Sequence, residues 1–152
     1  MIDLLRTVKQ FFELDGWSFT ESDTDSGLLL RFGGKNGQWR CYARVRREQG
    51  QFIFYSYAPL EVPEAKRTAI AEFVTRANFG LSIGNFELSF DSGTLQFRTG
   101  IDVQGHEECL SAGILKHLVY ANVMAMDRYL PGIRSVVERD ETPEQAIFLI
   151  EG

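Results

Sequence analysis

The sequence is short of cysteine: Cys41 and Cys109 are its only two, far apart and in no CxxC spacing. Two lone thiols fit a reducing compartment better than a disulfide framework. Histidine is equally scarce. His106 and Cys109 could share one helical face, but His117 lies well over a turn away. Two ligands do not close a tetrahedral site, so no metal is expected. A long apolar run is also missing, because residues 109–126, the longest candidate, carry Lys116, His117 and Asn122 near the middle. A lysine there makes bilayer insertion costly. The opening Met-Ile-Asp-Leu-Leu-Arg has an acid at position 3 and does not read as a cleavable leader. The expected location is the cytoplasm, with no membrane partner.

Excess positive charge is absent too, the net charge being −5. That argues against a general nucleic-acid binder, and no RNP-like Gly-Phe-Val-x-Phe run is present. Reactive motifs are missing as well. No serine has a Gly-x-Ser-x-Gly context, and Asp23, Asp25, Asp91, Asp102 and Glu87 are scattered rather than paired. Gly33-Gly34-Lys35-Asn36-Gly37 resembles a phosphate loop only superficially. It lacks the Gly-Lys-Ser/Thr ending and opens no helix, so it reads as a hairpin turn. The expectation is a protein that is not an enzyme and takes no cofactor.

What the sequence does have is phenylalanine, twelve in 152 residues, and well-marked periodicity. The length suits one domain, residues 1–152, with a self-sufficient core of large rings. The apolar residues Ile2, Leu5, Val8 and Phe12 recur at helical spacing, so helix one spans about residues 2–15 and stops at Gly16. A short strand over 17–20 follows, then strands over 28–32, 38–47 and 51–57. A second helix begins near Pro63 and closes at Asn78 and Gly80. Two period-2 runs around Ser92-Gly93 predict another hairpin. If the turn has two residues, Phe90 pairs with Leu95, Leu88 with Phe97, and Glu87 with Arg98. A third helix over about 107–130 is broken by Pro131-Gly132, and Thr142 caps a short terminal helix over 146–150.

This order, α-β-β-β-β-α-β-β-α plus a short C-terminal helix, predicts an α+β fold with an antiparallel sheet and helices on one face. With tight turns at Asn36-Gly37 and Gln49-Gly50, Arg44 faces Tyr55 and Tyr42 faces Tyr57. Arg31, Arg40, Tyr42, Arg44, Arg46, Tyr55 and Tyr57 then share the face away from the core. Arginine and tyrosine are enriched where proteins dock, so Arg40, Tyr42, Arg44, Arg46, Tyr55 and Tyr57 are the candidate partner-binding residues. Helix three is apolar on more than one side. Leu115, Val119, Met126 and Tyr129 on its second stripe are the candidate dimer contacts. A pocket between this helix and the sheet, offering His117, Asn122 or Arg98 to a small ligand, is the alternative.

From Val62 onward the chain resembles the YbjN family of bacterial sensory transduction regulators. The matching residues are Val62-Pro63-Glu64, Ala71-Glu72, Asn78, Gly80-Leu81, Gly84-x-Phe86-Glu87-Leu88, Gly93, Phe97-Arg98-Thr99 and Tyr129-Leu130-Pro131. Trp17, Trp39, Tyr57 and Pro59 are similar more loosely. The resemblance implies a fold like that of the type III secretion chaperones, usually paired as a homodimer, and carries no catalytic residue. Asn78, Gly84, Phe86 and Arg98 match the motif and read as structural: cap, turn or close approach, core ring and charge pair. The function expected is a protein-interaction module, chaperone-like or regulatory, acting as a homodimer on another, unidentified protein.

Overall fold

The structure is a computed structural model that describes residues 2–152. Helix α1 (Leu4–Leu14) opens at Asp3, whose carboxylate accepts the backbone N–H groups of Leu5 and Arg6. That contact satisfies donors a helix start leaves bare and sets a negative charge at the positive end of the helix. Strand β1 is only Thr20–Glu21, so the expected strand over 17–20 is mostly loop. Strands β2 (Gly27–Gly33), β3 (Gln38–Arg46) and β4 (Gln51–Tyr57) follow, then α2 (Arg67–Asn78), β5 (Asn85–Leu88) and β6 (Leu95–Asp102). The long α3 (Ala112–Arg139) and α4 (Pro143–Glu151) complete the chain. Thr142 caps α4 by accepting the N–H of Gln145.

The element order is the expected one, and the strands form a six-stranded antiparallel sheet in the order β1-β2-β3-β4-β6-β5. Alternation decides its two faces. Leu28, Leu30, Cys41, Ala43, Val45, Phe52, Phe54 and Phe97 are buried against the helices, and their neighbours in sequence point to the bare side. Fully burying such a side chain contributes about 1.5–3 kcal/mol, so one core face is enough to hold the layers together.

The registers differ from the expected ones at all three hairpins, and always by the same step. Gly33 pairs with Gln38 and Arg46 with Gln51, leaving 34–37 and 47–50 as turns. Ser89 donates to the Thr94 carbonyl, leaving 90–93. Each turn therefore holds four residues and ends in glycine. Gly50 and Gly93 sit at φ 65° and 78°, a backbone state that a β-carbon disfavours. Tyr42 consequently faces Tyr55 and Arg44 faces Ile53. Leu88 faces Leu95, Phe86 faces Phe97 and Glu87 faces Gln96, while Phe90 lies in the turn, 58% exposed. A shift of two residues leaves every side chain on its original face, because the strand period is two.

Helix α3 departs further. It starts at Ala112, after a 3-10 turn over Glu107–Cys109, and runs straight through Pro131 to Arg139. It packs against strands β4 and β6 and against α1, α2 and α4. Two buried polar contacts fix it to the strands. The Asn122 carboxamide donates to the carbonyls of Phe54 (2.8 Å) and Phe97 (3.0 Å), and the Thr99 hydroxyl donates to that of Leu118 (2.9 Å).

Candidate functional site

The bare face of the sheet is built from cross-strand rows. One row carries Arg31 directly opposite Arg40, with Tyr57 on β4 facing Gln96 and Glu87 beyond. The next carries Leu29, Tyr42, Tyr55, Arg98 and Asn85. A third carries Gly27, Arg44, Ile53 and Gly100, and a fourth Arg46, Gln51 and Asp102. Arg40, Tyr42, Arg44, Arg46, Tyr55 and Tyr57 thus lie on one side of the sheet, away from every helix. Arg98, read from sequence as structural, joins them. Its place depends on β6 lying beside β4, a neighbour relation that no turn in the sequence announces.

Charge on this face is lopsided. Arg98 lies 3.5 Å from Glu87, and Arg46 donates to the Gln51 side chain. Asp102 receives the Gln51 amide. Among the described residues, Arg31, Arg40 and Arg44 have no carboxylate within ion-pair distance. Between the arginines the Tyr55 and Tyr57 rings stack, 6.2 Å apart and 13° from parallel. Partial burial raises the ionisation of Tyr42 and Tyr57 above the ordinary phenol range, so both remain neutral donors. Leu29 is 52% exposed beside them.

Two depressions border this face, the first reaching round the β2 edge of the sheet to Trp17, Phe32 and Tyr120 on the helix side. One of about 830 Å³ is lined by Trp17, Leu29, Phe32 and Tyr120, among others, and the second, of about 380 Å³, by Gln38, Pro59 and Thr94, among others. Arg31, Arg40 and Tyr57 border both.

The other sequence candidates have different fates. Leu115, Val119, Met126 and Tyr129, expected at a dimer contact, are buried within a single copy. Tyr129 shows why. Its ring meets Phe73 of α2 and Phe86 of β5 edge-on, and its hydroxyl donates to Glu151 of α4 at 2.6 Å. The helix is apolar on two sides because the chain covers it twice. The three residues expected to line a ligand pocket between this helix and the sheet do not come together. Asn122 is fully buried in packed core, His117 is exposed, and Arg98 lies on the far side of the sheet.

Asn78 does more than end α2. Its carboxamide accepts the N–H of Phe86 at 2.7 Å and donates to the Phe86 carbonyl at 3.2 Å, so it closes the outer edge of β5. Phe86 is core, edge-on to Phe97, and Gly84 sits directly over Phe97 and Thr99. The 34–37 turn, rejected as a phosphate loop, does cradle an anion. The N–H groups of Lys35 (3.2 Å) and Asn36 (2.9 Å) bind the carboxylate of Asp127 on α3. A β-carbon at Gly34 would lie 2.4 Å from that carboxylate, so the approach requires glycine. No group of three or more His, Cys, Asp and Glu side chains suited to a metal ion occurs among the described residues. No helix among them is long and apolar enough to cross a membrane.

Against known families, the YbjN model, described as "Putative bacterial sensory transduction regulator", matches residues 5–135. The chain belongs to the YbjN family. Curated proteins provide no match. Among solved structures, E. coli YbjN aligns with a TM-score of 0.57 at 15% identity, covering 84% of this chain and 92% of that one. A chain of the HopA1–SchA chaperone–effector complex aligns at 0.53 and 13%, covering 84% and 96%. One from the ExsC–ExsE complex aligns at 0.55 and 10%, covering 84% and 91%. At such identities the likeness is one of fold. The YbjN domain here has the α+β architecture of the type III secretion chaperones, as the sequence resemblance implied.

Proposed function

We propose that this YbjN domain is a non-enzymatic, cytoplasmic protein-interaction module, chaperone-like or regulatory, that docks a different protein on the bare face of its sheet. The observation that carries the reading is a six-stranded face with no helix over it among the described residues, bearing Arg31, Arg40 and Arg44 with no ion-pair partner among them and a stacked tyrosine pair. Arginine and tyrosine offer apolar area with a polar tip, which suits a protein contact. Two of the similar folds come from complexes with a protein partner, ExsC–ExsE and HopA1–SchA, and this supports the same kind of role.

The partner is heterologous. A second copy docked by the same face across a two-fold axis would bring up a surface with the same excess of arginine. Helix α3 supplies no motive for a homodimer, since its expected contacts are core.

Affinity capture of tagged protein from its own cytosol, followed by mass spectrometry, tests the proposal. A Tyr42→Ser/Tyr55→Ser variant that keeps its circular dichroism should lose a protein that the unaltered chain retains. Identical capture by both would contradict it.

A further inference from the structure

Resting on that reading, we propose that the Arg31–Arg40 pair is the anchor for an acidic segment of the partner protein, whose neighbouring apolar side chain enters the depression lined by Trp17, Leu29, Phe32 and Tyr120. The two arginines are direct cross-strand partners in β2 and β3, and both are exposed. Like charges directly opposite in a sheet destabilise it. No carboxylate of the described chain relieves the pair within ion-pair distance. The one carboxylate lining the adjoining apolar depression, Asp15, is already engaged. It accepts the Trp17 indole N–H at 3.0 Å and the Tyr120 hydroxyl at 2.6 Å. Glu61 borders only the smaller depression. Two guanidinium forks side by side match a carboxylate in geometry as well as in charge, and an incoming acid would turn the repulsion into attraction.

A protein segment fits better than a nucleic acid. The net charge of the chain is −5, so a polyanion extending beyond the patch meets repulsion from the rest of the surface. A short acidic stretch keeps its charge within the patch. The adjoining depression of about 830 Å³, walled by Trp17, Leu29, Phe32 and Tyr120, offers burial to an apolar side chain beside the acid.

The test uses fluorescence anisotropy on the full chain with three labelled probes: a glutamate–leucine peptide, a lysine–leucine peptide of equal length, and oligo-dT. The acidic peptide should bind, weaken as salt is raised, and bind about tenfold more weakly to R31E/R40E. The lysine peptide should not bind. Arg40→Glu alone sets opposite charges across the strands, so it should melt at a higher temperature than the unaltered chain yet bind the acidic peptide less well. A merely structural pair would not show that split. Equal binding of the two peptides, unchanged binding by R31E/R40E, or tighter binding of oligo-dT would overturn the inference. In the capture experiment, a partner lost by Tyr42→Ser/Tyr55→Ser but kept by R31E/R40E would refute the acidic segment and leave the interaction reading standing. Capture unaffected by either variant would refute both.

Discussion

The Asn36 side chain donates to the carbonyl oxygen of Asp127 at 2.9 Å, the carbonyl that Pro131, four residues further along α3, leaves without its helical N–H. A proline inside a helix removes one rung of the ladder, and here the 34–37 turn replaces it. The same turn binds the Asp127 carboxylate through two backbone N–H groups, so hairpin β2–β3 and helix α3 are locked together at one residue.

Asn36→Ala should therefore destabilise the fold by about 1–3 kcal/mol, the cost of leaving a partly buried acceptor without a donor. In a Pro131→Ala background the restored backbone N–H can serve the same carbonyl, and the cost of Asn36→Ala should shrink. Urea denaturation of the four members of this cycle measures the coupling. Additive effects would show that the carboxamide is not the replacement donor.

Asn122 offers a contrast in sign. Its NH2 group faces two carbonyls within the core. Asn122→Asp would bury an acceptor and a charge against them and should cost several kcal/mol, on the order of 3–5. Asn122→Leu removes the donor together with a side-chain oxygen that is buried without a partner, and should cost about 1–3 kcal/mol. Denaturation midpoints of the two variants give the order, and a milder effect of aspartate would contradict the contact.

The two cysteines should react at very different rates. Burial pushes the Cys41 thiol up to about 12, outweighing the Ser56 and Trp39 contacts that oppose the shift. Cys109 is exposed. The thiolate is the nucleophile, so a disulfide reagent at mildly alkaline pH should modify one thiol at once. Cys109→Ser should remove that fast phase, leaving Cys41 silent until denaturant is added.

Alkaline pH should weaken the α3–α4 junction. Burial, and then donation to Glu151, push the Tyr129 hydroxyl up to about 12. An unfolded tyrosine titrates near 10, so the folded state holds its proton more tightly. This stabilisation is complete below about pH 10 and is lost as pH rises through about 12. Tyr129→Phe should flatten the decline over that window. It should not abolish it, since Tyr42, Tyr57 and Tyr120 are raised as well. Thermal melts across the range provide the check.

Faces were legible in the sequence where registers were not. The alternation of Tyr42, Arg44 and Arg46 with Cys41, Ala43 and Val45 assigns the bare side whatever the turn length. Asn36-Gly37 suggested a two-residue turn, but the loop is held open by Asp127, which lies 91 residues away from Asn36. The same distant contact hid the continuation of α3 through Pro131. The second stripe of α3 misled for a related reason: apolar residues around a helix report that it is covered, not whether the cover comes from another molecule. Arg98 was legible as an outward side chain of β6. Its membership of the site depended on β6 crossing beside β4, a non-local pairing.

The most direct test of the central claim places a photo-crosslinking amino acid at Tyr55 on the bare sheet face, and separately at Met124, exposed on α3. Irradiated in the native cytosol, the Tyr55→p-benzoylphenylalanine protein should form an adduct with a second, different protein, while the Met124 counterpart should not. Adducts at Met124 with none at Tyr55 would contradict the account.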